Sequence, residues 1–96
     1  MPKATYDLCI IGGAGHVGLP LGVTFANDGV RTVLFDLNHD WLEKINKGEF
    51  PFKEDSGSEE LRRSISDKFL FTSEKPEVIA ESDFVLLVIG TPIDEY

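Results

Sequence analysis

The residues whose types and spacing could do chemistry lie in the first third of the chain. An apolar run, Leu8-Cys9-Ile10-Ile11, leads into Gly12-Gly13-Ala14-Gly15-His16-Val17-Gly18. Gly13, Gly15 and Gly18 take the glycine places of a Gly-x-Gly-x-x-Gly pattern, and each place has its own physical demand. Gly13 is expected to let the chain turn sharply out of a strand. Gly15, without a side chain, lets a pyrophosphate approach the backbone. Gly18 lets the next helix lie close on the strand. The free N–H groups at the start of that helix then face the phosphates, and the helix dipole favours their charge. A second apolar run, Thr32-Val33-Leu34-Phe35, ends in Asp36. A ribose-binding carboxylate is expected about 20 residues beyond such glycines. The chemistry indicated is dinucleotide binding.

Asp36 would accept hydrogen bonds from the adenosine ribose hydroxyls. A carboxylate there repels a 2′-phosphate, and neither Leu37 nor Asn38 can neutralise it. NAD is therefore expected rather than NADP. Phe35 and Leu37 could flank the adenine or simply pack in the core. Thr91 follows the last apolar run. It could offer its hydroxyl or backbone to the second ribose, or be a turn residue before Pro92. His16 is expected to contact cofactor or solvent rather than to transfer protons. His39 with Asp36 and Asp40 lacks metal-ligand spacing.

The elements that must position these residues alternate. Strands are predicted over 6–11, 31–36, 69–72 and 84–89. Helices are predicted over 16–28, 40–47 and 58–66, with a short helix or turn over 75–81. Pro20 falls near a helix start, where its missing N–H costs little. Gly29 suits a left-handed helix end. Asn38 or Asp40 could cap the second helix, with Trp41 and Ile45 on its inner side. Phe50-Pro51-Phe52 reads as a loop docking its rings on the body, and the acidic stretch 54–60 as exposed. Strands alternating with helices imply an α/β fold, a Rossmann-type parallel sheet with strand order 3-2-1-4. Its ligands sit beyond the carboxyl ends of the strands, which gathers the Gly13 turn, Asp36 and Gly90-Thr91 on one rim.

Composition narrows the classes. The 96 residues suit one small domain, and seven Phe support a packed core. A net charge of −8 without a Lys/Arg run argues against nucleic acid. No run of about 18 apolar residues suggests a membrane span. The N-terminus lacks a signal peptide's apolar stretch, so a cytoplasmic location is expected. The single cysteine, Cys9, sits mid-strand and is expected to be buried packing.

Several segments together resemble the NAD-binding domain of the UDP-glucose/GDP-mannose dehydrogenase family. They are Ile11-Gly12-Gly13-Ala14-Gly15-His16-Val17-Gly18-Leu19-Pro20-Leu21, Phe35-Asp36, Ile45-Asn46-Lys47-Gly48, Pro51-Phe52-Lys53-Glu54 and the stretch 83–94 with Gly90-Thr91-Pro92. The resemblance covers nearly the whole chain. It implies that Gly13, Gly15, His16, Val17, Asp36 and Thr91 touch NAD. It implies a parent enzyme that oxidises the C6 alcohol of a nucleotide sugar to a carboxylate in NAD-dependent steps through a cysteine. That cysteine lies beyond residue 96 and is not Cys9, so no catalytic residue is expected here. His16 stands where the family usually has a tyrosine. The chain is accordingly expected to be an N-terminal fragment, cut after strand four and inactive alone. Its last strand would then be an open edge prone to self-association. A non-catalytic NAD-sensing domain and a hydroxyacid or hydroxyacyl dehydrogenase are the competing readings; Leu19-Pro20-Leu21 and Asn46-Lys47-Gly48 argue against the former.

Overall fold

A short run of consecutive apolar residues suits a strand covered on both faces, and the first such run becomes an inner strand of the sheet. In the computed structural model, which describes residues 4–52 and 57–88, this run is β1 (Tyr6–Ile11). There follow α1 (Gly18–Asn27), β2 (Thr32–Phe35), α2 (His39–Asn46), α3 (Ser58–Ser66), β3 (Leu70–Ser73), α4 (Glu77–Ala80) and β4 (Ser82–Leu87). The sheet order is β3-β2-β1-β4 and every pairing is parallel. The predicted order is the observed one.

Register explains the two-sided core. Cys9 pairs with Val33 and Val85, while Ile10 pairs with Leu34 and Leu86. One face carries Cys9, Val33 and Val78 of α4. The other carries Ile10 and Leu34 beneath Leu19 and Val23 of α1, Leu42 and Ile45 of α2, and Leu61 of α3. Cys9 is fully buried, as its place in the run implied, and burial raises its thiol pKa.

Element ends differ from the sequence expectation by one or two residues, each for a local reason. α1 starts at Gly18 because Gly15, His16 and Val17 stay in the turn, with Val17 as its N-cap. Pro20 lies in its first turn. Gly29 closes it at φ +92, and its N–H donates to the Ala26 carbonyl. Asn38 caps α2 by accepting the Trp41 N–H at 3.2 Å. β4 begins at Ser82 because Ser82 pairs with Tyr6. Residues 1–3, 53–56 and 89–96, with Lys53, Glu54 and Thr91 among them, lie outside the described residues.

β4 pairs only with β1 among the described residues, and its side chains are open on both faces. Phe84 is 72% exposed and Leu87 is 59% exposed. Phe84, Phe25 and Val30 line an apolar groove of about 530 Å³. Asp7 ties the start of β1 to the strand entry beyond α1. Its carboxylate accepts the Arg31 backbone N–H at 2.9 Å and pairs with the guanidinium at 2.8 Å.

Candidate functional site

The turn after β1 is built on β2. The Phe35 carbonyl accepts both the Gly12 N–H at 2.9 Å and the Gly13 N–H at 3.1 Å. The left-handed residue of this turn is Gly12, at φ +87. Gly13 is therefore not the turning residue that its place in the motif suggested. Its lack of a side chain serves close approach: a Cβ there would lie 2.6 Å from the Leu34 Cβ. Gly18 packs as expected, since a Cβ would meet the Gly12 carbonyl oxygen at 2.5 Å.

Gly15 differs from its neighbours. A Cβ there would meet only the Gly12 carbonyl oxygen, at 3.6 Å, so its outer side is open backbone. The N–H groups of His16, Val17 and Gly18 have no acceptor among the described residues. No side chain caps α1. Open donors at a helix start, beside a residue with no side chain, make a cradle for an anionic group.

Asp36 is brought against this cradle. Its Oδ2 accepts the Ala14 N–H at 3.0 Å and its Oδ1 accepts the Asn38 N–H at 3.0 Å. The Asp36 N–H donates to the Ser73 carbonyl at 3.2 Å, which aligns the residue with the end of β3. Half-buried, the carboxylate keeps lone pairs for further donors such as ribose hydroxyls. Leu37 beside it is 77% exposed, so it is not core. Phe35 packs with the Cys9 cluster instead.

His16 is exposed and carries an aromatic contact that the sequence did not announce. Its ring stacks on Phe52 at 4.1 Å and meets Trp41 edge-on at 6.3 Å. Phe50 and Phe52 dock on the body as the Phe-Pro-Phe run suggested. His39 lies apart from the cradle. Its Nδ1 meets Glu74 and its Nε2 lies 3.2 Å from Glu43. The Glu74 hydrogen bond, reinforced by the charges of Glu74 and Glu43, raises its pKa. These residues line a cavity of about 560 Å³ between α2 and β3 rather than the glycine turn.

The geometry fits a dinucleotide, and similarity supplies the family. The profile of the UDP-glucose/GDP-mannose dehydrogenase family, NAD binding domain, matches residues 6–96. The chain belongs to this family. Among curated relatives, UDP-glucose 6-dehydrogenase of Rhizobium meliloti is 37% identical over 82 residues, covering 83% of this chain and 18% of the relative. UDP-glucose 6-dehydrogenase TuaD of Bacillus subtilis is 30% identical over 84 residues, covering 86% of this chain and 18% of the relative. A solved UDP-glucose dehydrogenase from Pyrobaculum islandicum superposes with a TM-score of 0.83 at 30% identity, covering 96% of this chain and 22% of that one. The chain thus spans about a fifth of the length of the UDP-glucose/GDP-mannose dehydrogenases it matches. What it shares with them is the NAD-binding domain, and NAD is the cofactor of that domain.

Proposed function

We propose that this chain is the cofactor-binding portion of a nucleotide-sugar 6-dehydrogenase, which oxidises the C6 alcohol of a UDP- or GDP-sugar to a uronic acid. The observation that carries the reading is the Asp36 carboxylate held against the open Gly15 backbone through the Ala14 N–H. In this reading the open N–H groups of His16 and Val17 take the pyrophosphate over the bare Gly15 backbone, while Gly13, whose own N–H is bound to Phe35, shapes the turn. Asp36 takes the adenosine ribose and turns away a 2′-phosphate. Thr91 takes the ribose beside the nicotinamide. NAD held by these residues would supply the hydride acceptor for the alcohol carbon. The chain's own residues hold and orient the cofactor, and the sugar and the groups that act on it belong to sequence outside these 96 residues. Alone, the chain is inactive.

The test is a titration of the chain with NADH and NADPH, paired with turnover assays on UDP-glucose and GDP-mannose. Saturable NADH binding, weaker NADPH binding and no sugar-dependent NAD reduction are expected. Equal affinity for the two cofactors would contradict the role of Asp36, and measurable turnover would contradict inactivity.

A further inference from the structure

Two separate routes join the glycine turn to the start of α2. The polar route runs from the Ala14 N–H to Asp36 Oδ2. It continues from Asp36 Oδ1 to the Asn38 N–H, and from Asn38 Oδ1 to the Trp41 N–H. The aromatic route returns from the Trp41 ring to the His16 ring at 6.3 Å, two residues along from Ala14. Phe52 closes the second route from below. It stacks on His16 at 4.1 Å and 24° and meets Trp41 at 6.1 Å and 60°. The result is a closed loop of contacts through residues 14, 16, 36, 38 and 41.

We infer that the His16–Phe52–Trp41 stack is a positioning clasp for the dinucleotide. It fixes the distance between the open backbone at Gly15 and the Asp36 carboxylate, and so sets the span between the two groups a single ligand must meet. The physical case has three parts. His16 is exposed, and burial alone gives its ring no reason to be held. Its backbone N–H belongs to the cradle while its ring is fixed by two other segments, so turn and ring move together. A ligand that bridges two anchors binds best when their separation is set beforehand, because ordering them on binding costs affinity. The inference rests on the proposed cofactor reading and adds a residue role to it: the His16 ring acts through the turn, without touching the ligand.

The test uses His16→Ala, His16→Phe and Phe52→Ala, each confirmed folded by circular dichroism and thermal unfolding. Trp41 is the sole tryptophan, so its emission reads the clasp directly. An aromatic pair contributes about 0.5–1.5 kcal/mol, so His16→Ala should weaken NADH binding about twofold to tenfold. It should also shift Trp41 emission and raise quenching by acrylamide. His16→Phe, which keeps a ring and removes both nitrogens, should restore affinity and emission. Wild-type affinity in His16→Ala overturns the proposal. So does failure of His16→Phe to rescue, since the imidazole would then act through a polar contact. Trp41 emission that ignores both His16→Ala and Phe52→Ala also overturns it. If the wild-type chain binds no NADH while Trp41 emission still responds to His16→Ala, the cofactor reading has failed and the clasp loses its role, although the ring stack stands.

Discussion

The Asp36 carboxylate and the Ala14 amide are joined across 22 positions of sequence, Oδ2 accepting the N–H at 3.0 Å. One side chain thereby fastens the end of β2 to the turn that follows β1. The same carboxylate is the group proposed to take the ribose, so structure and binding share one residue. Asp36→Ala should show both losses. NADH affinity should fall by about 1.5–3 kcal/mol, the range for a hydrogen bond to a charged group. The buried Ala14 residue loses the acceptor for its N–H, which should cost about 1–3 kcal/mol of stability. Calorimetric titration and urea unfolding check the two numbers separately. Asp36→Asn keeps the shape but has one oxygen for two N–H donors, so it should fall between wild type and Asp36→Ala.

The glycines of the turn should separate into two classes. Gly12→Ala puts a side chain at φ +87 with its Cβ 2.3 Å from the Val88 carbonyl oxygen. Gly13→Ala sets a Cβ 2.6 Å from the Leu34 Cβ. Both should lower stability, by on the order of 1–3 kcal/mol. Gly15→Ala meets nothing closer than 3.6 Å and should unfold at the wild-type temperature, yet bind NADH poorly. A drop in melting temperature for Gly15→Ala as large as that for Gly13→Ala would refute the distinction.

His39 gives the chain a pH-dependent contact between α2 and the end of β3. Its pKa is raised by Glu74 first and Glu43 second, because both carboxylates favour the imidazolium. A raised folded pKa means the unfolded chain releases the proton first. The contribution is therefore complete below the ordinary histidine value of about 6.5 and is lost as pH rises through the folded pKa. Melting curves of wild type and His39→Gln should diverge at mildly acidic pH and converge in alkaline buffer. An imidazole NMR titration with a midpoint at or below the ordinary value would refute the assignment.

The open side of β4 should make the isolated chain self-associate. Phe84 and Leu87 are exposed, and unpaired strand edges with apolar faces template further pairing. Sedimentation velocity across a concentration series should show growth beyond the monomer. Val85→Lys, at a position already 47% exposed, should suppress it without loss of fold. A wild-type chain that stays monomeric at high concentration would count against this account.

Much of the architecture was legible because it depends on local pattern. The runs of consecutive apolar residues announced the parallel strands, buried in β1 and β2 but open in β4, and the Asn27-Asp28-Gly29 and Lys47-Gly48 stops matched helix ends at Gly29 and Gly48. The place of Asp36 followed from its spacing of about 20 residues beyond the glycines, at the end of the second apolar run. What stayed hidden depends on partners distant in sequence. The motif placed the turning role on Gly13, but φ +87 falls on Gly12, because the hydrogen bonds of Phe35 fix where the chain must reverse. The helical pattern of α1 ran back to His16, whose ring is held instead by Trp41 and Phe52 from two other segments. Ser64, which no apolar pattern singles out, is buried with its hydroxyl donating to the Leu61 carbonyl at 2.7 Å.

The pairing of β1 with β4 joins residues 6–11 to residues 82–87. In synthesis, β1 is made before β4, and β2 and β3 lie between them in the chain. A nascent chain can therefore zip β1 to β2 early, but must shield the far side of β1 until β4 has been made. Pairings that distant in sequence slow closure, so any delay in synthesis between β3 and β4 prolongs the interval in which that side is open to chaperones.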